Sequence, residues 1–166
     1  MSELLMQVHP IPPLFDPDSR ILILGSFPSV KSREGQFFYH HPQNRFWRVL
    51  AAVLGEETPV TIAEKTDLLH RRHIALWDVI ASCEIVGSSD SSIRNVVPND
   101  LSPILQGAPI RAVFCNGGTS HANYRKYTQS VTGLDAIKLP STSPANAGWS
   151  LDRLVEAWRC ILPHLN

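Results

Sequence analysis

Arg20–Trp47, RILILGSFPSVKSREGQFFYHHPQNRFW, is the stretch whose reading decides the fold. Ile21–Leu24 is a short apolar run with the β-branched content of a buried strand. Gly25-Ser26-Phe27-Pro28-Ser29 then breaks the pattern, since it can neither prolong a strand nor open a clean helix. A long polar and aromatic loop follows, and helical periodicity returns only around Phe46. In an open α/β sheet, ligands bind in the crevice beyond the carboxyl ends of the strands. His40, His41, Gln43 and Asn44 give this loop more hydrogen-bonding groups than a turn requires, so it is the first place to look for chemistry.

Outward from that stretch the chain alternates. Residues up to Ser19 read as an irregular, proline-rich opening segment, and Arg20–Gly25 as the first strand. Helices are expected near Asn44–Leu54 and over Thr61–Arg72, the latter with Thr61 and Glu64 spaced for a capping box. Ile74–Ile80 reads as a second buried strand, Cys83–Asn99 as a Ser- and Asp-rich loop, and Asp100–Gln106 as a short helix. Arg111–Cys115 is a third strand ending in Asn116-Gly117-Gly118, followed by a helix over Thr119–Ser130. Ala136–Leu139 is a fourth strand, Pro140–Gly148 a loop, and Trp149–Leu162 a closing amphipathic helix. Strands separated by helices predict an α/β fold: one three-layer α/β/α domain over residues 1–166 around a short, mostly parallel, four-stranded central sheet.

Composition narrows the function classes. The 166 residues, 43% hydrophobic and 18% charged, suit an ordinary globular chain able to bury ~70% of its unfolded surface. Fifteen Lys and Arg balance fifteen Asp and Glu, so no global field recruits a polyanion, and such a partner needs a local patch. The three cysteines, Cys83, Cys115 and Cys160, are scattered and odd in number, which supports neither a disulfide framework nor a metal site. The opening MSELLMQVHPIPPLF lacks the basic and apolar regions of a signal peptide, and no run reaches the ~18 apolar residues of a membrane span. A cytoplasmic monomer without cofactor, metal or membrane attachment is the expectation.

Each strand ends in a polar loop: Ser26–Ser29, Asp78, Asn116–Gly118 and Ser141–Asn146. A parallel sheet brings all four to one rim. LGSFPS, HPQNRFW, ALWDV, FCNGG and LPSTSPANA, in this order, resemble the uracil-DNA glycosylase superfamily, and most nearly its deoxyinosine (hypoxanthine) branch. The resemblance runs from the first strand to the last loop. It implies a monofunctional glycosylase of base excision repair, acting on DNA that contains deaminated bases. Such an enzyme flips the base out of the duplex and stabilises it as the glycosidic bond breaks, while a water attacks the sugar.

The pattern also departs from its relatives. Many place Asn or Asp in the first motif to position the water, where this chain has Phe27, better suited to stacking on the base or to the core. The second motif often carries His or Asn, and here has Ser141. Where relatives read uracil with Asn, Asp78 stands. The resemblance to the deoxyinosine branch moves the catalytic role to Asn44, whose amide can orient a water through its oxygen and bind a base through its nitrogen. Asn44 can equally cap the helix that follows. Asn116 is the second catalytic candidate, beside glycines that admit close approach.

Gly25, Ser26, Phe27, Pro28 and Ser29 then form a base-binding wall, joined by Tyr39, His40, His41, Asp78 and Ser141. Thr142 and Ser143 resemble phosphate clamps, Pro144-Ala145-Asn146 a wedge, and Lys31 and Arg45 part of a local basic patch. Two alternatives stay open: a non-catalytic damaged-base or single-strand sensor with the same fold, and a mismatch-specific uracil-DNA glycosylase. A serine hydrolase at Ser26 lacks the G-x-S-x-G elbow, and Gly25 belongs to no dinucleotide fingerprint.

Overall fold

The computed structural model describes residues 4–166 and contains two sheets. The strands are β1 (Leu5–Val8), β2 (Ile21–Gly25), β3 (Ile74–Asp78), β4 (Ile80–Ile85), β5 (Arg94–Pro98), β6 (Ala112–Asn116) and β7 (Ala136–Leu139). The helices are α1 (Val30–Gly35), α2 (Phe46–Leu54), α3 (Ile62–Arg71), α4 (Ser102–Gly107), α5 (Gly118–Asn123), α6 (Gln129–Thr132) and α7 (Leu151–Trp158). A π-turn over Tyr124–Thr128 joins α5 to α6, and a 3₁₀ segment, Arg159–His164, extends α7.

The central sheet is four-stranded and wholly parallel, in the order β3-β2-β6-β7. All five residues of β2 are buried, as a strand covered on both faces must be. Alternate side chains divide between two cores. Ile21 and Ile23 pack with Phe46, Leu50, Leu68 and Trp158 from α2, α3 and α7, whereas Leu22 and Leu24 pack with Ile104 and Tyr124 on the other face. The expected capping box on α3 is present, Thr61 Oγ1 accepting from Glu64 N–H and Glu64 Oε1 from Thr61 N–H. The closing helix starts later than the periodicity predicts, because the Ser150 hydroxyl caps it and leaves Trp149 in the preceding loop.

The second sheet is the main departure. It is antiparallel, in the order β1-β4-β5, and uses parts of two segments expected to be irregular: the opening residues and Cys83–Asn99. The first three residues of the opening segment lie outside the described residues. Ile74–Ile80 is also not one strand. The Val79 and Ile80 amides donate to Gly25 O and Ser26 O (2.8 and 3.1 Å), turning the chain off the central sheet and into β4. Within the expected loop after β2, Ser29 caps the short α1 by accepting from Ser32 N–H. The β4–β5 hairpin folds back over α1: Arg33 donates to Gly87 O, and Val30 N–H to Ser88 Oγ.

Candidate active site

Gly25 of β2 pairs with Asp78 of β3, and Asn116 ends β6, so three strand ends meet at one rim. Above it lies a cavity of about 300 Å³. Its walls are Gly25–Ser29, Ser32, Phe38, Tyr39, His41, Asn44, Asp78, Ser88, Asp90, Asn116 and Ser141–Ala145. Most residues singled out in the sequence therefore stand together. His40, Lys31, Arg45 and Asn146 are absent from the wall. The His40 ring packs over Gly35, and Lys31 is exposed on α1.

The amides at the centre form a directional network. The Thr142 N–H donates to Asn116 Oδ1 (3.1 Å), and Asn116 Nδ2 donates to Thr142 Oγ1 (3.0 Å). The Thr142 hydroxyl donates to Asn44 Oδ1 (2.9 Å), which also accepts from Phe46 N–H (2.9 Å). Backbone N–H groups can only donate, so both amide orientations are fixed. Asn44 thus closes the start of α2 from the residue before its N-cap position, Arg45, by satisfying the Phe46 N–H, and its oxygen is filled by two donors. Its Nδ2, without a partner among the described residues, is the half left to the cavity. Of the two uses of this amide read from the sequence, water orientation through oxygen and base contact through nitrogen, the geometry leaves the second open.

Below the amides lies a buried ion-capable pair. His9 Nε2 is 2.7 Å from Asp78 Oδ2, with side chains only 3% and 6% exposed. His9 Nδ1 accepts from Ile11 N–H (3.2 Å), so Nε2 carries the hydrogen and donates to Asp78. The other Asp78 oxygen, Oδ1, faces the space above Gly25, where the Tyr39 hydroxyl also arrives. Tyr39 stacks on Phe46, with ring centroids 4.0 Å apart, and adopts φ +50°. A left-handed backbone is unusual for an aromatic residue and clusters at functional sites. Its hydroxyl is buried with no hydrogen-bond partner among the described residues. Burial, and secondarily Asp78, push that hydroxyl above the ordinary tyrosine range, so it stays protonated and able to donate. Phe27 lines the cavity and is also core, edge-on to His9 at 6.0 Å.

At the rim, Ser26 Oγ donates to Asp90 Oδ1 (3.1 Å) from below the β4–β5 hairpin. Opposite, the Ser141–Ala145 loop is shaped from beneath. Arg45 donates to the carbonyls of Ser143 (3.1 Å), Asn146 (3.0 Å) and Trp149, and Asn146 Nδ2 donates to Ser141 O (3.0 Å). Arg45 and Asn146 thus direct these donors to carbonyls of the loop and its flank. Arg45→Met, which strands three carbonyls, is expected to cost roughly 2–4 kcal/mol of stability, read as a lowered urea midpoint, and to loosen the loop.

Sequence reasoning did not find His9, Ser32, Phe38, Ser88 or Asp90. His9 follows no periodic pattern. The only signal for Ser88 and Asp90 was the density of Ser and Asp in their segment.

The sequence model of the Uracil DNA glycosylase superfamily matches residues 12–161. A Hypoxanthine DNA glycosylase from Methanosarcina acetivorans is 33% identical over 154 residues, covering 92% of this chain and 96% of its own. One from Methanosarcina barkeri is 33% identical over 143 residues, covering 85% and 89%. The solution NMR structure of a protein described as a candidate uracil DNA glycosylase from Methanosarcina acetivorans superposes with a TM-score of 0.81 at 32% identity, covering 97% of this chain and 99% of that one. With a family match across nearly the whole chain and a strand-end cavity built from the family's motifs, this protein belongs to the uracil-DNA glycosylase superfamily.

Proposed function

We propose that the protein is a monofunctional DNA glycosylase that hydrolyses the N-glycosidic bond of deaminated bases, chiefly hypoxanthine in deoxyinosine, with uracil and xanthine as lesser substrates. It acts as a single-domain cytoplasmic monomer on DNA. No lysine stands in the cavity wall to form a Schiff base, so lyase chemistry is not part of the reading.

One observation carries the substrate choice: an acceptor, Asp78 Oδ1, and a protonated donor, the Tyr39 hydroxyl, flank the same glycine. Hypoxanthine presents N1–H beside O6, a donor next to an acceptor, and so complements the pair. The tyrosine thereby relieves the repulsion between an ionised Asp78 and O6. Adenine presents the reverse order and is refused. Uracil and xanthine share the N–H and C=O arrangement. Guanine shares it too, and its rejection falls to the cytosine pairing that resists flipping and to its extra amino group. Asn44 Nδ2 supports charge developing on the departing base, and Phe27 offers a ring face.

Duplexes carrying one deoxyinosine, deoxyuridine or deoxyxanthosine, treated with the protein and then with alkali, test this directly. Cleavage should be strongest at deoxyinosine. Cleavage mainly at deoxyuridine would make the protein a uracil enzyme. Binding without cleavage at any lesion would make it a sensor, a reading that Phe27 in the usual water-positioning place favours. Within the proposed scheme, Asp78→Asn turns an amide N–H toward N1–H, because His9 holds the oxygen. Hypoxanthine excision is expected to fall ~10–100-fold, the loss of one charge-assisted hydrogen bond, measured as single-turnover rates.

A further inference from the structure

Hydrolysis needs an acceptor that directs the attacking water, and the obvious places are filled. Phe27 has no polar atom. Asn44 Oδ1 already accepts two hydrogen bonds, and Asn116 is tied at both ends of its amide to Thr142. Asp78 sits at the cavity floor against His9.

Asp90 remains. It reaches the rim from the tip of the β4–β5 hairpin, anchored by Ser26 Oγ on its Oδ1, and is open to solvent on its outer side. It lines the cavity and also an adjoining groove that runs past Gly118, Lys138, Pro140 and Trp149. Ser141, Ser143 and Ala145 are the other residues common to both. With the base in the cavity and the sugar-phosphate chain in the groove, the glycosidic bond crosses this shared boundary. Asp90 is the carboxylate that stands on it.

Resting on the glycosylase reading, we propose that Asp90 is the catalytic residue that positions the attacking water, accepts its proton and faces the positive charge growing on the sugar. The C1′–N9 bond breaks with its electron pair passing to hypoxanthine. The water oxygen bonds to C1′, and its proton moves to the Asp90 carboxylate. Asp90 then releases that proton to solvent, and the hypoxanthine anion takes one up, leaving a neutral base and an abasic sugar. The environment suits the task. Loss of solvation, followed by the nearby Asp78 charge, raises the Asp90 carboxyl above the ordinary aspartate value, toward that of a working base, against opposing hydrogen bonds from Ser26 and Thr119. The other titratable groups in its surroundings are Tyr39 and His41 in the same cavity wall, Cys83 on β4 and Lys138 along the groove.

The test is single-turnover excision on a deoxyinosine duplex, beside binding to a non-hydrolysable duplex carrying 2′-fluoro-deoxyinosine. Asp90→Asn should lower the rate at least ~100-fold while changing affinity less than about threefold, the split expected of a group that acts only in the transition state. Ser26→Ala, which removes the anchor but keeps the carboxylate, should lose about tenfold and keep an acid limb in the pH profile, moved to higher pH because a hydrogen bond that holds the carboxyl down is gone, whereas Asp90→Asn abolishes that limb. A wild-type rate in Asp90→Asn overturns the proposal, as does a parallel loss of rate and affinity. A wild-type protein inactive on deoxyinosine, deoxyuridine and deoxyxanthosine alike is a different failure, because it removes the glycosylase reading and the proposal with it.

Discussion

Asn44→Ala is expected to lower hypoxanthine excision at least ~100-fold, the usual consequence of deleting a donor aimed at developing charge. The side chain performs three tasks through two atoms. Its oxygen satisfies the Phe46 N–H at the start of α2 and orients the Thr142 hydroxyl. Its nitrogen is the donor left for the base. Loss of the cap alone should cost about 1 kcal/mol of stability, so reduced activity in the alanine variant could in principle reflect a loosened helix. Asn44→Asp separates the two effects. A carboxylate still accepts from Phe46 N–H and Thr142 Oγ1, which preserves α2 and the network, but it replaces the donor with negative charge facing a departing anionic base. Its urea midpoint should stay near wild type while its single-turnover rate falls at least as far as alanine's. Near-wild-type rates in both variants would leave Asn44 a helix cap and nothing more.

What could be read in advance follows a physical division. The central sheet was legible because β2, β3 and β6 are local, mostly buried apolar runs bounded by turn residues, and the short, partly exposed edge strand β7 continues the same alternation of strand and helix. Once those strands are parallel, their carboxyl ends must share a rim, so Gly25–Ser29, Asp78, Asn116 and the Ser141 loop were bound to converge. The antiparallel sheet was not legible. Leu5, Met6 and Val8 of β1 are largely exposed, and their pairing partners on β4 lie some eighty residues away. No local pattern encodes that register. His9 enters the site only because β1 is carried across to β4, and Asp90 only because the hairpin folds back over α1. The break at Val79 was hidden inside Ile74–Ile80, a run apolar but for Asp78, since its cause is a pair of carbonyls, Gly25 O and Ser26 O, at the end of another strand. The polarity of Asn44 was equally out of reach: the sequence offers an amide, and only the Phe46 N–H decides which end the cavity receives.

Gly25→Ala is the second large effect expected, and space rather than backbone conformation is its cause. A Cβ at this position would stand well inside van der Waals contact with Asp78 Oδ1 and 3.1 Å from the Tyr39 hydroxyl oxygen. A flexible surface side chain would swing aside. Asp78 cannot do so freely, because His9 holds its second oxygen at 2.7 Å and the pair is almost wholly buried. The methyl group must therefore push the carboxylate, the tyrosine or both away from the place where the base edge is read. Displacing a positioning group by about 1 Å can cost on the order of 100-fold in rate, so excision should fall by at least that factor. Overpacking should take roughly 1–3 kcal/mol from stability. Gly148→Ala is the matched control, since a Cβ there meets nothing within 4 Å and the residue lines neither the cavity nor the groove, and it should remain close to wild type in rate and urea midpoint. If Gly25→Ala instead kept its rate, the carboxylate and hydroxyl above that glycine could not be what reads the base. The preference for hypoxanthine would then have to come from the amides of Asn44 and Asn116.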